Sequence, residues 1–265
     1  MERTDIDQPW STALVTGASS GIGAAFATQL SRAGVDMVLV ARRGDLLEQL
    51  ATTLVGHGSR VEVLAVDLAD PSGRAIVADR LSDPERPIDL LINCAGLGLS
   101  TSFPDGDPER YRQMIEVNVS AVVELTRAAT ALMRDRGRGW VLNVSSLGGH
   151  APGPGVAVYS ATKAFVTSFS ESIHEELRSS GVVVTALCPG ATRTGFGEIS
   201  GTNGDDVPGL LWQSAEQVAA EGLVAVAAGR AVRVTGVPNR VAAGLTAVLP
   251  RVAKRRIAGM VTDRL

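Results

Sequence analysis

Short apolar runs alternate with longer stretches of helical periodicity over most of this sequence, and this alternation restricts the fold more than any other feature. Seven predicted strands span residues 13–16, 37–41, 61–66, 88–93, 141–144, 182–187 and 232–237. The predicted helices between them span residues 22–34, 46–54, 75–81, 107–136, 158–179 and 214–228. Strand–helix units of this length favour a parallel sheet with helices on both faces, a doubly wound α/β fold of Rossmann type in a single domain. A glycine-rich lid region at about 195–213 and a helical tail at about 239–265 complete the predicted domain.

The composition is that of an ordinary globular protein, with 45% hydrophobic and 20% charged residues. A formal net charge of -3 gives no electrostatic reason to expect a nucleic-acid partner. No apolar run approaches the roughly 18 residues that a membrane span needs, and the polar N-terminal residues argue against a signal peptide. Because Cys94 and Cys188 lie beside apolar runs and cannot form a metal cluster by themselves, we expect a reduced, cytoplasmic protein without a metal site.

A glycine-rich turn between the first predicted strand and the first predicted helix is the first informative motif. Residues 16–23 are Thr-Gly-Ala-Ser-Ser-Gly-Ile-Gly. Glycine permits the positive φ and the close backbone approach that such a turn needs. The helix N-terminus then offers unpaired N–H groups and a positive dipole end to a pyrophosphate. The predicted dinucleotide contacts in this turn are Gly17, Ser19, Ser20, Gly21, Ile22 and Gly23.

The same turn also fits the Gly-x-Ser-x-Gly elbow of an α/β-hydrolase, with Ser19 as the nucleophile. A hydrolase triad needs a histidine and an acid later in the chain, and none of His57, His150 and His174 lies near the C-terminal end. The elbow also normally follows several strands, whereas this turn follows the first. A dinucleotide site is therefore the better interpretation, and the hydrolase is kept as an alternative.

The end of the second predicted strand indicates which dinucleotide binds. A fold that prefers NAD usually has an acidic residue there to bind the ribose 2′-hydroxyl, but residues 40–43 are Val-Ala-Arg-Arg. Arginine suits a 2′-phosphate through charge-assisted, bidentate hydrogen bonds. We therefore expect NADP(H), bound in part by Arg42, although two solvated surface arginines would give the same pattern.

Tyr159 and Lys163 lie four residues apart in a predicted helix, which stacks their side chains on one face. A nearby ammonium favours the phenolate and lowers a tyrosine pKa from its ordinary value near 10. An accidental surface pair is the alternative, and the composition disfavours it, since the chain has 23 arginines but only two lysines and two tyrosines. The pair indicates acid–base chemistry in which Lys163 lowers the pKa of Tyr159.

Taken together, the motifs over about residues 12–195 resemble those of the short-chain dehydrogenase/reductase family. The glycine turn, the segment 93–96 (Asn-Cys-Ala-Gly) and the Tyr-x-x-x-Lys pair match the family's motifs in order, with Cys94 in place of a usual asparagine. The resemblance implies further cofactor contacts from Asp67, Leu68, Asn93, Ala95, Gly96, Tyr159, Lys163, Pro189, Gly190, Thr192 and Thr194.

The resemblance also implies a reaction, the transfer of a hydride between NADP(H) and a carbonyl or alcohol substrate. Ser146 would orient the substrate carbonyl while Tyr159 exchanges the proton. Lys163 would tune the tyrosine and hold the nicotinamide ribose, and Asn118 would support a proton relay. A non-catalytic NADP(H)-binding sensor or scaffold of the same fold is the alternative, although such a protein would not need this set of residues.

Apolar side chains dominate the loops expected around the nicotinamide, which favours an apolar ketone or aldehyde as substrate. These side chains are Leu97, Leu99, Phe103, Pro152, Val156, Phe196, Leu211 and Trp212. The five glycines of residues 195–209 indicate a mobile lid that folds Phe196 and Trp212 over the substrate.

Two further surfaces carry expectations about partners. Residues 117–133 are apolar around most of their helix, more than one sheet face can bury, so we expect a homodimer or homotetramer. In the family that the chain resembles, this helix and the one carrying Tyr159 pair between subunits about a two-fold axis. The tail is basic, and we expect a solvated face there, with a membrane-surface or partner patch as the alternative. Its cations are Arg251, Lys254, Arg255 and Arg256.

Overall fold

A parallel sheet of seven strands organises the chain, of which the computed structural model describes residues 9–201, 209–247 and 249–262. The strands are β1 (Thr12–Thr16), β2 (Asp36–Ala41), β3 (Val61–Ala65), β4 (Leu90–Asn93), β5 (Gly139–Val144), β6 (Val182–Cys188), β7 (Thr192–Arg193), β8 (Gln213–Ser214) and β9 (Val232–Val234). The main sheet has the order β3-β2-β1-β4-β5-β6-β9, and β7 and β8 pair separately. Since the direction of winding reverses between β1 and β4, a crevice opens there at the carboxyl ends of the strands.

Helices lie between the strands and on both faces of the sheet. They are α1 (Gly21–Arg32), α2 (Gly44–Val55), α3 (Pro71–Leu81), α4 (Pro108–Ile115), α5 (Ala121–Asp135), α6 (Ala157–Leu177), α7 (Phe196–Ser200), α8 (Ala215–Ala227), α9 (Val237–Ala247) and α10 (Arg251–Thr262). A π-helical segment, Glu116–Ser120, joins α4 to α5.

Successive side chains of β1 point to opposite faces of the sheet, and each face meets its own apolar layer. Ala13 and Val15 pack in the layer that includes residues of α1, α2 and α8. Leu14, between them, packs in the layer that includes residues of α3 and α5. All three side chains are fully buried. Helices therefore cover both faces, and the predicted doubly wound fold is confirmed.

The structure corrects several predicted boundaries. The single helix predicted over residues 107–136 is divided by the π-helical segment, which the apolar periodicity does not reveal because it continues on both sides. The predicted last strand over 232–237 ends at Val234, since Gly236 has φ +75 and turns the chain into the next helix. The tail predicted from residue 239 begins at Val237 and consists of two helices, α9 and α10.

The predicted lid region at about 195–213 is only partly described. It contains the short helix α7 and the turn Gly209–Leu211, whereas residues 202–208 lie outside the described residues. None of the helices in the described ranges is long and apolar enough to cross a membrane.

Candidate active site

A cavity of about 640 Å³ lies at the carboxyl ends of the strands, over the crevice between β1 and β4. Pockets that bind small molecules and cofactors usually have volumes in this range. Eighteen of the predicted site residues line the cavity: Gly17, Ser19, Ser20, Gly21, Ile22, Gly23, Arg42, Asp67, Leu68, Ala95, Gly96, Ser146, Tyr159, Lys163, Pro189, Gly190, Thr192 and Thr194. The topology therefore brings motifs from the whole length of the sequence to one edge of the sheet.

Asn93 and Asn118 are the two predicted site residues that do not line the cavity. Asn93 is 3% exposed and donates hydrogen bonds to Asn143 Oδ1 at 2.9 Å and to Thr126 Oγ1 at 3.2 Å. Its amide links the ends of β4 and β5 to α5, which is a structural role, and a contact of Asn93 with the cofactor stays a prediction.

The glycine turn has the geometry that a pyrophosphate site needs. Gly17 and Gly21 have φ values of +68 and +56, which side chains disfavour. A Cβ atom at Gly23 would lie 2.3 Å from the carbonyl oxygen of Gly17, so only glycine fits there. Helix α1 begins at Gly21, and its first backbone N–H groups and positive dipole end face the cavity edge. These features fit a dinucleotide pyrophosphate.

Two arginines lie where the adenosine end of a dinucleotide would bind. Arg43 donates hydrogen bonds to Ser19 Oγ at 3.0 Å and to Ser20 Oγ at 2.9 Å. Arg42 lies 3.8 Å from the Asp67 carboxylate, and both side chains are so exposed that this ion pair contributes little stability. Both guanidinium groups therefore remain available to an anion at the end of β2.

Tyr159 lies in the first turn of α6, beside Ser146 at the end of β5. Burial raises the pKa of Tyr159 above its ordinary value, and a side-chain hydrogen bond with Ser146 opposes this shift. The Ser146 hydroxyl also accepts a hydrogen bond from the backbone N–H of Gly148 at 3.0 Å. The aromatic ring of Phe196, from α7, lies 5.7 Å from the Tyr159 ring between centroids and covers the site on the lid side.

Lys163 is 5% exposed, and its Nζ atom donates a hydrogen bond to the backbone carbonyl of Val144 at 2.8 Å. Burial lowers the pKa of Lys163 to about 8. Its Nζ atom lies 5.9 Å from the centroid of the Tyr159 ring. We expected the ammonium to lower the pKa of Tyr159, but the pKa of Tyr159 is raised, because burial outweighs the hydrogen bond with Ser146. The expected direction is therefore wrong.

Asn118 lies within the π-helical segment and is fully buried. Its Oδ1 atom accepts a hydrogen bond from the Leu97 N–H at 2.8 Å, and its Nδ2 atom donates to the Leu97 carbonyl at 2.9 Å. Nδ2 also donates to Thr162 Oγ1 at 3.0 Å. The side chain thus connects the loop after β4 to α6, one residue from Lys163. π-Helical turns occur frequently at functional sites.

Among the residues that the structure describes, no three His, Cys, Asp or Glu side chains form a cluster that could hold a metal ion. The arrangement instead combines a dinucleotide cradle with a buried phenol, a serine hydroxyl and a buried amine. Such a set can hold a carbonyl group by hydrogen bonds and exchange one proton with it while a bound cofactor supplies the hydride.

A family model described as short chain dehydrogenase matches residues 11–203. The chain belongs to the short-chain dehydrogenase family. It is accordingly an oxidoreductase, and the family uses NAD(P)(H). The hydrolase and sensor alternatives are not favoured.

Named relatives agree with this family. The dehydrogenase is 35% identical over 220 residues to the 1-deoxy-11-beta-hydroxypentalenate dehydrogenase of Streptomyces exfoliatus, covering 76% of this chain and 78% of that protein. A short-chain dehydrogenase of Sphingobium yanoikuyae, solved in complex with NADPH, has a TM-score of 0.81 and 34% identity, covering 91% and 96% of the two chains. The bulky-bulky ketone specific alcohol dehydrogenase of Comamonas testosteroni has a TM-score of 0.77 and 29% identity, covering 91% and 95%.

Sequence reasoning missed several residues that shape the site of this dehydrogenase. Arg43 was visible in the Arg-Arg pair, but only Arg42 was assigned to the cofactor. Thr16 Oγ1 accepts hydrogen bonds from the backbone N–H groups of Cys94 and Ala95, both at 3.0 Å, and so joins the ends of β1 and β4. Asn239, from α9, also lines the cavity, and nothing in the sequence pattern indicates it.

Proposed function

We propose that this protein transfers a hydride between NADP(H) and an apolar ketone or aldehyde, or the corresponding alcohol. The observation that carries the proposal is the convergence of Ser146, Tyr159 and Lys163 with the glycine turn in one cavity. Bound NADPH supplies the hydride, and the side chains of the protein supply orientation and the proton.

The charge at the end of β2 supports NADP(H) over its non-phosphorylated counterpart. Ala41 ends this strand without a carboxylate to bind a ribose 2′-hydroxyl. Arg42 and Arg43 line the cavity at this point, and Arg43 is already hydrogen-bonded to the hydroxyls of the glycine turn. Guanidinium and hydroxyl donors together suit a phosphate. The NADPH bound in the Sphingobium yanoikuyae relative is consistent with the same preference.

The raised pKa of Tyr159 suits a proton donor, because the phenol stays protonated at neutral pH and can transfer its proton to a carbonyl oxygen. Ser146 orients that oxygen by a second hydrogen bond. Lys163, whose Nζ atom is fixed by the Val144 carbonyl at the end of β5, would hold the nicotinamide ribose. Asn118 has a positioning role for the proton relay, since its hydrogen bonds fix Leu97 and also Thr162, the residue before the buried lysine.

The side chains that line the lid side of the cavity are apolar, and this favours an apolar substrate. Leu97, Phe196, Leu211 and Trp212 line the cavity near Tyr159. Four other predicted contacts are not part of the cavity lining: Leu99, Phe103, Pro152 and Val156. Specificity is therefore assigned mainly to α7 and the turn Gly209–Leu211, with Leu147 and Gly148 as the contribution of the loop before α6. The bulky ketones of the Comamonas testosteroni relative fit such a pocket.

The deciding experiment measures NADPH oxidation with carbonyl compounds matched in reactivity but differing in size and charge. Bulky apolar ketones should give the highest kcat/KM, and Tyr159→Phe should remove turnover with all of them. A preference for small or anionic carbonyls would overturn the substrate class, whereas turnover that survives Tyr159→Phe would overturn the assigned mechanism.

A homodimer through α4, the π-helical segment and α6 is the second part of the proposal. Most of the apolar residues of α5 are buried within the chain, which the sequence did not anticipate. The remaining apolar surface includes Ile115 and Phe165, which are 43% and 40% exposed, with Val119 and Ala161 beside them around one groove. A second copy of the chain would bury this face.

A further inference from the structure

The C-terminal part of the chain has an unusual charge distribution. Residues 222–262 contain seven cationic side chains and no carboxylate, although the whole chain has a formal net charge of -3. The cations are Arg230, Arg233, Arg240, Arg251, Lys254, Arg255 and Arg256. Arg233 and Arg240 pair with Glu221, at 2.6 Å and 3.2 Å. Arg255 and Arg256, on α10, are exposed.

The same segment carries an apolar stripe on the surface. Val237, Val241 and Leu245 follow each other at intervals of four on α9, which places them on one face of the helix. They are 63%, 58% and 66% exposed. Val252, on α10, is 51% exposed, and Leu210, in the turn that packs against α9, is 77% exposed. The expected solvated basic face does not account for this stripe.

Helix α9, which carries the stripe on its exposed face, contributes to the active-site cavity from its buried face. Asn239 lines the cavity from α9, and its Nδ2 atom donates a hydrogen bond to the carbonyl of Leu211 at 3.4 Å. Leu211 and Trp212, next to the exposed Leu210, line the cavity as well. A partner bound to the exposed face of α9 would therefore contact the same helix and turn that line the cavity.

Exposed apolar side chains on α9, followed along the chain by the exposed Arg255 and Arg256 of α10, match the interface of an anionic lipid bilayer. In such an interface, apolar residues enter the acyl boundary while lysine and arginine contact the headgroups. A symmetric contact with a second copy fits less well, because an isologous interface would bring the α10 cations of one chain towards those of the other. The positive charge of this surface therefore favours an anionic lipid bilayer over a second copy of the chain as its partner.

We propose that α9, α10 and the turn Gly209–Leu211 form a docking surface for anionic membranes. The protein associates peripherally, with the stripe of Val237, Val241 and Leu245 in the headgroup region and Lys254, Arg255 and Arg256 of α10 on the lipid phosphates. In combination with the proposed function, on which this last step rests, docking lets an apolar substrate pass from the bilayer directly into the cavity.

Vesicle co-sedimentation of the purified full-length chain tests the docking itself. Vesicles of phosphatidylcholine alone are compared with vesicles containing about 30% phosphatidylglycerol, at low and high salt. We expect about tenfold or more stronger binding to the anionic vesicles, weakened strongly by salt, since each lysine or arginine near such a surface contributes to attraction. Equal binding to both vesicle types, or binding to neither, overturns the proposal.

Matched variants test whether vesicle binding depends on the stripe itself or on exposed apolar side chains in general. Val241→Ser with Leu245→Ser should reduce binding to anionic vesicles about tenfold or more. Ile76→Ser with Val224→Ser removes apolar residues that are similarly exposed, at 49% and 52%, on α3 and α8, and should leave binding unchanged. Equal effects of the two pairs contradict the assignment of the surface.

Charge variants test the basic helix in the same way. Lys254→Glu with Arg255→Glu should abolish the preference for anionic vesicles, whereas Arg32→Glu with Arg110→Glu should not. Thermal unfolding by circular dichroism verifies that each variant is folded. If the stripe variants instead lower the oligomer mass by light scattering without changing vesicle binding, the face is an interface between copies and the lipid proposal is wrong. None of these measurements needs turnover, so their failure is distinguishable from failure of the proposed reaction.

Discussion

Lys163 donates its Nζ hydrogen bond to the carbonyl oxygen of Val144 at 2.8 Å, so the end of β5 fixes the only lysine of the active-site cavity. Ser145 and Ser146 are the two residues that come directly after this end of β5. Ser145 Oγ donates a hydrogen bond to the Lys163 carbonyl at 2.7 Å, and this is a second hydrogen bond between α6 and the end of β5. The lysine and the serine that faces Tyr159 are therefore held by one rigid element.

Replacing Lys163 should affect stability in a pH-dependent way as well as activity. Burial lowers its pKa to about 8, from 10.5 in the unfolded chain, so above about pH 8 the unfolded state binds more protons than the folded state. The free energy of unfolding of the wild type should therefore rise between about pH 8 and pH 10.5, by up to about 3 kcal/mol, relative to Lys163→Met. Denaturant unfolding of both proteins across this range measures the difference. Parallel profiles for the two proteins would show that the lysine is not held as described.

Tyr159→Phe should lower carbonyl reduction by at least about a hundredfold, since a general acid contributes this much or more. Binding of NADPH, followed by its fluorescence, should stay close to that of the wild type because only a hydroxyl is lost. Tyr111→Phe is the matched control, and it should keep full activity, since Tyr111 does not line the cavity and instead stacks on Phe103 at 5.6 Å between ring centroids.

The pH dependence of the two reaction directions should differ. Because burial raises the pKa of Tyr159 above 10.0, reduction has its proton donor in place at all pH values up to about 8 and should be nearly flat there. Alcohol oxidation needs the phenolate and should increase with pH throughout this range. An oxidation rate that levels off near neutral pH would mean that the pKa of Tyr159 is lowered and not raised.

Cofactor preference should depend on both arginines at the end of β2. Arg42→Asp and Arg43→Asp should each raise the KM for NADPH by about tenfold to a hundredfold, through the loss of a charge-assisted hydrogen bond. The double variant should prefer the non-phosphorylated cofactor. Arg32→Asp, on the exposed side of α1, serves as the charge control. Unchanged kcat/KM ratios for the two cofactors in the double variant would refute the assigned phosphate site.

Gly98 sets how closely α7 approaches Tyr159. A Cβ atom at Gly98 would lie 2.7 Å from Phe196 Cζ and 2.9 Å from Ser200 Cβ, so Gly98→Ala should displace the short helix. We expect the KM for bulky apolar ketones to rise about tenfold, with NADPH affinity nearly unchanged, and Trp212→Ala to act in the same direction. Gly244→Ala, on α9 and outside the cavity lining, is the matched control, since an added Cβ there meets no atom within 4 Å, and it should behave as wild type.

Homodimer formation should depend on the groove between α4 and α6. Phe165→Glu places a charge on this groove and should give a monomeric mass by light scattering at micromolar concentration. Val55→Glu, on a similarly exposed residue of α2, should leave the mass of the wild type unchanged. A monomeric wild type would contradict the dimer directly.

The local motifs were readable from the sequence because their physical requirements are local. The glycine turn needs positive φ at Gly17 and Gly21, and the pairing of Tyr159 with Lys163 needs only one turn of helix. The doubly wound order also follows from the strand–helix alternation. The sequence therefore predicted the fold and most of the residues that line the cavity.

The contacts that the sequence did not reveal depend on distant parts of the chain. Asn93 donates a hydrogen bond to Asn143, 50 residues later, and Asn118 accepts one from Leu97, 21 residues earlier. The direction of the pKa shift of Tyr159 depends on burial, which spacing along a helix does not reveal. The segment between α4 and α5 has the same apolar periodicity as an ordinary helix, so nothing in the pattern marked the π-helical turn.

That π-helical turn, Glu116–Ser120, also limits where the length of this chain can change. A π-helical turn holds one more residue than the α-helical turn it replaces, and each residue rotates a helix by about 100°. Because the π-helical turn already holds this extra residue within about one turn, deleting Val119 would let the backbone relax into a regular helix while α4, with Ile115, keeps nearly its present direction relative to α5. A deletion within α5 would instead rotate Leu125 out of the buried layer. We therefore expect that the protein can be shortened by one residue here without losing its core, at the expense of the hydrogen bonds between Asn118 and Leu97.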